Sequence, residues 1–389
     1  MIKGVNLGNW LVLEKWMSPM LFEGTTAEDE YNLPLQLSPE VYEARIKIHR
    51  SEYISERDFA TIARIGFNTV RIPIPYFIFG DRPPFIGCID LLDKAFDWAE
   101  RYGLKILIDL HTAPLSQNGF DNGGICGVCR WSKEKNEVDF VLQVLEKLAK
   151  RYGKREALMG ITPINEPITE PMWEIMDVPN RYPAADPELA KGSGPNTISF
   201  LEDFYTRAFD MMIPHLKADA YVVFHDGFQF KRWKDFLTKD KFTGRVMLDT
   251  HMYLMVAEAM GCEQNLEGYL KFIQTHFAED IKEVQSYVPV LVGEWSLFNS
   301  AAIGMDTQGG RSSLNGIDFT ESTGMSESEK KELYYKIAKA QLKAWENGAG
   351  YCYWNYKLLL DPVHEANWKG WDCWDLGKSV DLGWFPDKV

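Results

Sequence analysis

Cysteine is scarce in this chain, and several familiar sequence signals are missing. Six cysteines scattered over 389 residues are too few for a disulfide scaffold. No hydrophobic run is long enough to span a bilayer, and the opening MIKGVNLGNW lacks the apolar stretch and cleavage site of a signal peptide. Neither a GxGxxG nor a GxxxxGK phosphate-binding motif occurs. We therefore expect a cytoplasmic protein that neither enters a membrane nor binds a nucleotide.

Positive charge is also scarce relative to negative charge. The chain carries 42 Lys and Arg against 56 Asp and Glu, a net charge of −14 at pH 7. Binding to nucleic acid or to anionic lipid needs clustered basic residues, so neither is an expected partner. Aromatic residues are plentiful by contrast, with 13 Trp, 17 Tyr and 22 Phe. This composition favours a neutral ligand that stacks on aromatic rings.

Eight short runs rich in β-branched and aromatic residues predict eight strands. Amphipathic segments such as LLDKAFDWAERYG and VDFVLQVLEKLAKRYG, each closing on a glycine suited to a helix C-cap, separate most of them. Eight near-continuous apolar strands alternating with helices fit a closed parallel barrel better than an open doubly wound sheet. The predicted fold is therefore α/β, a (β/α)8 TIM barrel in a single domain, residues 1–389, with loop insertions on its catalytic face. The runs are IKGVNLG, FNTVRIPI, LKILIDLH, LMGITPIN, AYVVFHDG, GRVMLDTHMY, PVLVGEW and GYCYWNY.

Polar or aromatic side chains with functional potential follow seven of these predicted strands. In a barrel the carboxyl ends of all strands meet on one face, which carries the active site. Each such residue taken alone is often a packing residue, but the repetition over seven strands predicts one shared pocket. In strand order the residues are Arg71; Asp109 and His111; Asn165 and Glu166; His225 and Asp226; His251 and Tyr253; Glu294; and Trp354.

Two of these residues, Glu166 and Glu294, predict the chemistry. A pair of carboxylates across a sugar ring is the machinery of glycoside hydrolysis, with one as general acid and the other as nucleophile or base. We expect Arg71 to lie beside Glu294 and to lower its pKa, as a nucleophile requires. We expect the pKa of Glu166 to be raised, so that it can donate a proton.

Metal-dependent hydrolysis is the main chemical rival. His111, His225 and His251 could gather with Asp109 around zinc, but the HxH pattern usual in barrel metallohydrolases is absent. Cys126 and Cys129 form a CxxC without a second ligand pair, so a loop contact is the simpler interpretation. A GxSxG nucleophile motif is also missing. Carboxylate chemistry is left, and we expect no metal and no other cofactor.

The segments INEP and VLVGEW resemble the acid/base and nucleophile strands of glycoside hydrolase family 5, a retaining (β/α)8 family. GVNLGNWLVLEKWMSPMLFE and DLHTAPLSQNGFDNGG are similar to its exo-β-1,3-glucanase branch. The resemblance implies that Glu166 is the acid/base, Glu294 the nucleophile, Asn165 the amide that binds the sugar 2-hydroxyl, and Arg71 the partner of Glu294. It also implies that Glu14 grips the terminal glucose at a blind end. The remaining substrate-binding candidates are His111, Phe120, Asp121, Asn122, His225, His251, Tyr253 and Trp354.

One departure from that branch leaves the linkage open. The branch clamps the second sugar between two phenylalanines; Phe120 supplies one, but HMYLMVAEAM has none near the expected place of the other. The expected substrate is a β-glucoside or β-gluco-oligosaccharide. An endo-acting β-1,4-glucanase of the same family and a non-catalytic carbohydrate-binding barrel remain alternatives. Trp368, Trp371 and Trp374 are either a further sugar platform or a packed cover, and the sequence does not give the oligomeric state.

Overall fold

A computed structural model describes residues 1–303, 324–360 and 371–386, and also the short strands at 313–314 and 317–318. Eight parallel strands close into a barrel in the order β1-β10-β7-β6-β5-β4-β3-β2. All eight predicted runs form these strands, so the predicted (β/α)8 barrel is confirmed. The barrel strands are β1 (Ile2–Asn6), β2 (Thr69–Ile74), β3 (Lys105–Leu110), β4 (Leu158–Thr162), β5 (Tyr221–His225), β6 (Val246–His251), β7 (Val290–Trp295) and β10 (Gly350–Tyr353).

A two-stranded antiparallel hairpin lies outside the barrel, formed by β8 (Ser313–Leu314) and β9 (Ile317–Asp318). The helices around the barrel and on its loops are α1 (Leu33–Gln36), α2 (Pro39–Glu52), α3 (Glu56–Arg64), α4 (Ile89–Tyr102), α5 (Lys135–Tyr152), α6 (Glu170–Ile175), α7 (Val178–Arg181), α8 (Ile198–Met212), α9 (Lys239–Phe242), α10 (Leu254–Ala259), α11 (Leu266–Phe272), α12 (Ala278–Gln285), α13 (Ser300–Ile303), α14 (Glu327–Trp345) and α15 (Leu376–Asp381). No helix among the described residues is both long and apolar enough to cross a bilayer.

The two helices predicted most clearly from periodicity are α4 and α5. Helix α4 buries Leu92, Ala95, Phe96 and Ala99 at helical spacing and ends at Gly103, whose φ of 70° makes it the predicted left-handed cap. Helix α5 also ends at a glycine, but Gly153 has a right-handed φ of −58°. A Cβ there would lie 2.3 Å from the His215 carbonyl oxygen, so close packing requires this glycine.

Packing inside the barrel determines which end of it is free for the site. The inner layer at the amino ends of the strands is filled by the side chains of Leu107, Met159, Val223, Met247, Leu291 and Cys352, all buried together. This plug closes that end of the barrel. The polar strand ends are left to face one another at the carboxyl end, which is the geometry that a barrel active site needs.

Candidate active site

Arg71, on β2, is the centre of the buried network. Its side chain is fully buried and donates hydrogen bonds of 2.9 Å to Asn6 Oδ1, 2.7 Å to Asn165 Oδ1 and 2.8 Å to Glu294 Oε1. It also lies 3.0 Å from Asp109 Oδ1. A planar guanidinium can satisfy several acceptors at once in fixed directions, and burial makes each of these contacts shape the pocket. The predicted Arg71–Glu294 pair is confirmed.

Glu294 lies on β7 and has both carboxylate oxygens occupied. Oε1 accepts the bond from Arg71, and Oε2 accepts one of 2.8 Å from the Tyr253 hydroxyl. The preceding residue, Gly293, donates its N–H to Asp249 Oδ1 at 2.8 Å, and a Cβ at Gly293 would lie only 2.1 Å from that oxygen. Glycine is therefore required before Glu294, and Asp249 fixes the backbone that aims the carboxylate.

Glu166 follows β4 in a strained backbone conformation. Its φ of 44° lies in the left-handed region, which costs a non-glycine residue on the order of 1 to 3 kcal/mol. Oε1 lies 2.7 Å from His251 Nδ1, and Oε2 accepts a 2.9 Å bond from the Asn122 amide. A strained residue whose carboxylate is held by two side chains is typical of a functional group that the surrounding structure positions.

His251 brings the two glutamates together. Its Nδ1 lies 2.7 Å from Glu166 Oε1 and 3.4 Å from Glu294 Oε2, while its Nε2 lies 3.6 Å from Asp249. One nitrogen atom therefore lies within 3.4 Å of an oxygen of each glutamate.

The pKa directions of the two glutamates are opposite to those predicted. Burial disfavours a charged His251, but Glu294, Asp249 and the bond to Glu166 outweigh it and raise the His251 pKa well above its ordinary value. Glu166 is also desolvated, yet its bond to this imidazolium lowers its pKa. For Glu294, burial outweighs the attraction of His251 and Arg71, and the pKa is raised. The prediction was wrong because the sequence shows neither that His251 bonds Glu166 nor that burial outweighs the effect of Arg71 on Glu294.

His111 and Trp354 form a flat wall of the pocket. The two rings are stacked, with centroids 5.6 Å apart and planes 9° apart. His111 Nδ1 lies 2.6 Å from Asp109 Oδ2, which leaves Nε2 facing Asn165, 3.5 Å away. Asn165 therefore has its amide oxygen bound to Arg71 and its amide nitrogen directed to the pocket side, where a sugar hydroxyl can accept from it.

His225 lies behind the pocket. It is fully buried, its Nδ1 accepts a 3.0 Å bond from the Gly227 N–H, and its ring meets the edge of His251 at 4.5 Å. Burial, followed by the nearby charge of His251, holds its pKa well below the ordinary value. The predicted substrate-binding residue His225 thus packs as a neutral ring against His251.

Glu14 reaches the site from the segment after β1. Its side chain is buried, and Oε2 accepts a 2.8 Å bond from Trp16 Nε1. Burial, then Asp121, and more weakly Glu294 and Glu166, raise the Glu14 pKa well above its ordinary value. The neighbouring cation, Lys15, binds Glu28 at 2.6 Å.

Aromatic rings surround Glu14. Trp16 packs against Trp371 and Trp374 with centroids 5.3 and 5.6 Å apart, and Tyr253 meets Trp374 at 5.4 Å. Trp371 and Trp374 therefore join the wall of the site, whereas Trp368 lies outside the described residues. Rings at this place can stack on the apolar face of a sugar.

The CxxC pair lies among buried apolar side chains, and the candidate metal ligands lie elsewhere, around Glu166. Cys126 and Cys129 are buried in an apolar cluster with Phe120, and burial raises the pKa of Cys129 to about 12, so the pair packs a loop. Among the described residues, one set of three ligand-type side chains comes within 4.8 Å: Glu166, His225 and His251. In this set His251 Nδ1 and Glu166 Oε1 contact each other at 2.7 Å, and His225 Nδ1 accepts the Gly227 N–H.

Three residues of the site were not predicted from the sequence: Asn6, Gln117 and Asp249. Asn6 bonds Arg71 and the Gly293 carbonyl, and Gln117 Nε2 donates 2.8 Å bonds to the carbonyls of His111 and Asn165. Asp249 had a usable signal, because DTH on β6 repeats the DLH of β3. Asn6 had one too, because it lies near the carboxyl end of the predicted run IKGVNLG, as the other polar residues do in theirs, whereas Gln117 lies in a loop where no periodic pattern distinguishes it.

A barrel whose carboxyl face holds two glutamates around one imidazolium, with stacked rings beside them, defines a glycoside hydrolase. The model of the cellulase family, glycosyl hydrolase family 5, matches residues 39–357. The chain belongs to this family, in agreement with the resemblance of its motifs.

Curated relatives match along nearly the whole chain. A probable glucan 1,3-beta-glucosidase A of Aspergillus terreus is 32% identical over 99% of this chain and 88% of its own length. The glucan 1,3-beta-glucosidase of Kluyveromyces lactis is 31% identical over 100% of this chain and 89% of its own. Among solved structures, the rutinosidase of Aspergillus niger superposes with a TM-score of 0.71 at 20% identity, over 99% of this chain and 97% of that one. The last likeness concerns the fold alone.

Proposed function

We propose that this glycoside hydrolase is an exo-acting, retaining β-glucosidase that releases glucose from the non-reducing end of β-glucosides or β-gluco-oligosaccharides. The observation that carries the proposal is Glu14: a buried carboxyl, bonded by Trp16, whose pKa is raised by burial, then by Asp121 and more weakly by Glu294 and Glu166. A carboxyl there can bind hydroxyls of a terminal sugar, and we infer that it closes the pocket beyond that sugar. The names of the curated relatives agree with this proposal.

Glycosylation of the enzyme is the first of two steps. A Glu294 oxygen bonds to the anomeric carbon while the bond from that carbon to the glycosidic oxygen breaks. The proton of Glu166 goes to the departing oxygen. Arg71 and Tyr253 hold Glu294 at 2.8 Å each, and Asn165 is placed to bind the 2-hydroxyl as positive charge develops on the ring.

In the second step, deglycosylation, Glu166 acts as a base and Glu294 becomes the leaving group. Water attacks the anomeric carbon, its proton returns to Glu166, and the ester bond to Glu294 breaks, which gives retention of configuration. The attacking water must approach on the Glu166 side of the sugar. The contacts of Glu166 with Asn122 and His251 keep its carboxylate there in both steps.

Glycosylation needs a proton on Glu166, whereas the pKa directions favour that proton on His251. The raised pKa of His251 and the lowered pKa of Glu166 both favour the proton on the imidazole. The two groups are 2.7 Å apart along a hydrogen bond, so the transfer to Glu166 is short. We infer that a bound glycosidic oxygen beside Glu166 draws the proton across this bond.

Two measurements test the proposal together. Glu294→Gln removes the nucleophile and should lower kcat by several orders of magnitude with an unchanged thermal midpoint, whereas Glu279→Gln, an exposed control on α12, should have no effect. Products from laminari- and cello-oligosaccharides are then followed over time. Glucose with retained β-configuration as the first product supports an exo-acting retaining enzyme. Early di- and trisaccharides from internal cuts indicate the endo-acting alternative, and near-normal activity of Glu294→Gln contradicts the nucleophile assignment.

A further inference from the structure

An apolar surface lies beside Glu166, on loops that the catalytic steps do not use. Four half-buried side chains from three loops pack on the buried cluster of Phe120, Ile168 and Met172. We call them the apolar rim: Trp173, Met176, Phe228 and Val256. Ile175, between Trp173 and Met176 in the sequence, is 50% exposed. Exposed apolar surface that continues into a pocket usually marks a binding site.

Two chains of contacts tie the rim to the acid/base. Phe120 is two residues from Asn122, which donates a hydrogen bond to Glu166. The Phe228 ring meets the edge of His225 at 5.1 Å, and His225 meets His251, the hydrogen-bond partner of Glu166.

The connection from Glu166 to the rim is also direct along the chain. Ile168, two residues after Glu166, lies in the cluster, and helix α6, which follows, carries Trp173. The backbone of Phe228 is strained, with a left-handed φ of 62°, as expected for a residue that the structure positions. These contacts and the short chain connections put the rim on the Glu166 side of the site.

The two sides of the scissile bond are chemically different. Glu14 and the bound amides and carboxylates of the Arg71 network offer many hydrogen bonds to a glucose unit. The four rim side chains carry one strong hydrogen-bonding atom between them, the Trp173 indole N–H, and two of them, Met176 and Val256, have no aromatic face for a sugar ring. A second glucose has several hydroxyls that need partners on this side, whereas an alkyl or aryl group needs only apolar contact.

We propose that the apolar rim binds the leaving group of the substrate, and that this group is an apolar aglycone, alkyl or aryl, in place of a second sugar. The inference rests on the proposed function, since it assigns the substrate class of the same site. Val256 of the loop after β6 packs into the rim as a purely aliphatic contact. Met176 suits such a site, since an unbranched thioether adapts to aglycones of different shape.

A series of alkyl β-glucosides tests the proposal, because methyl, butyl and hexyl alcohols are leaving groups of closely similar acidity. Differences in kcat/KM within the series then report contacts of the alkyl chain. Full burial of one methylene corresponds to about a fourfold gain, so hexyl glucoside should exceed methyl glucoside at least tenfold in kcat/KM. Laminaribiose should resemble methyl glucoside more than hexyl glucoside.

Two rim variants locate the contact. Trp173→Ala and Met176→Gln should each reduce the hexyl-to-methyl ratio several-fold and leave kcat/KM for methyl glucoside within about twofold. If Trp173→Ala lowers the thermal midpoint, the hexyl-to-methyl ratio of Met176→Gln is used instead, because this substitution keeps the side-chain length. Tyr335→Ala, which removes an apolar side chain 40% exposed on α14, is the control and should leave the ratio unchanged.

The outcomes separate this inference from the proposed function. A flat series in the wild-type enzyme, with methyl glucoside and laminaribiose both hydrolysed, overturns the apolar-aglycone inference and leaves the β-glucosidase proposal standing. A steep series that neither rim variant changes also overturns it, because the alkyl chain then binds elsewhere. If no β-glucoside of any kind is hydrolysed, the proposed function itself fails.

Discussion

Replacing Glu14 by glutamine tests two properties of this buried carboxyl separately: its effect on the stability of the fold and its part in binding the substrate. The side chain is buried, one of its oxygens accepts a bond from Trp16, and the other has no hydrogen-bond partner among the described residues. Burial and the charge of Asp121 raise its pKa. A carboxyl with an unpaired oxygen and a raised pKa contributes little to the stability of the fold. This is expected for a side chain whose role is to bind a ligand.

The structure gives the size of the expected effects. A carboxyl whose pKa is raised by folding contributes stability that is lost as pH rises above its ordinary value of 4.5, so at neutral pH Glu14→Gln should be as stable as the wild type or more stable. A hydrogen bond from a charged group to the terminal glucose is worth about 1.5 to 3 kcal/mol, which corresponds to a roughly 10- to 150-fold fall in kcat/KM. A fall of about two- to tenfold indicates that Glu14 acts in its protonated form, as a neutral hydrogen-bond partner.

The assay uses two substrates and one matched control. Because Glu14 is placed to contact the glucose and not the leaving group, laminaribiose and methyl glucoside should lose the same factor. Glu28→Gln breaks the exposed pair with Lys15 and should change kcat/KM by less than about twofold. Unchanged kinetics of Glu14→Gln, or a loss confined to one substrate, contradicts the assignment of Glu14 to the terminal glucose.

Two further substitutions test the acid/base and its partner. Glu166→Ala should slow alkyl glucosides by several orders of magnitude but spare the first step for activated aryl glucosides, and added azide should accelerate their turnover; equal losses without azide rescue contradict the role. His251→Gln removes a group whose pKa is raised by folding, so its contribution to stability is complete below about pH 6.5 and disappears as pH rises through the raised value. The difference in urea midpoint between wild type and variant should therefore shrink from pH 6 to pH 9, and a constant difference contradicts the charge assignment.

The fold was predictable because a barrel strand is buried on both faces and leaves a nearly continuous apolar run. The predicted runs around Arg71, Glu166 and Glu294 all became barrel strands or their carboxyl ends. Barrel closure then forces these ends together, so residues distant in sequence could be assigned to one pocket. The supporting residues were less predictable. Asn6 and Gln117 act through backbone carbonyls of other strands, and nothing in a linear pattern indicates which carbonyl a side-chain amide will meet.

Protonation was the least predictable property, and the two Asp-x-His patterns show why. On β3 the Nδ1 of His111 turns to Asp109 of its own strand, at 2.6 Å. On β6 the same pattern turns Nδ1 of His251 away to Glu166 and leaves Asp249 3.6 Å from Nε2.

The partners therefore depend on which strands stand beside each histidine in the closed barrel, and the partners decide where the proton lies. A sequence can nominate two glutamates as acid and nucleophile. It cannot show that His251 lies nearer to Glu166 than to Glu294, or which carboxyl has its pKa raised and which lowered. The proposed roles of Glu166 and Glu294 therefore have to be tested on the two kinetic steps separately, since the pKa directions are opposite to those that the roles predict.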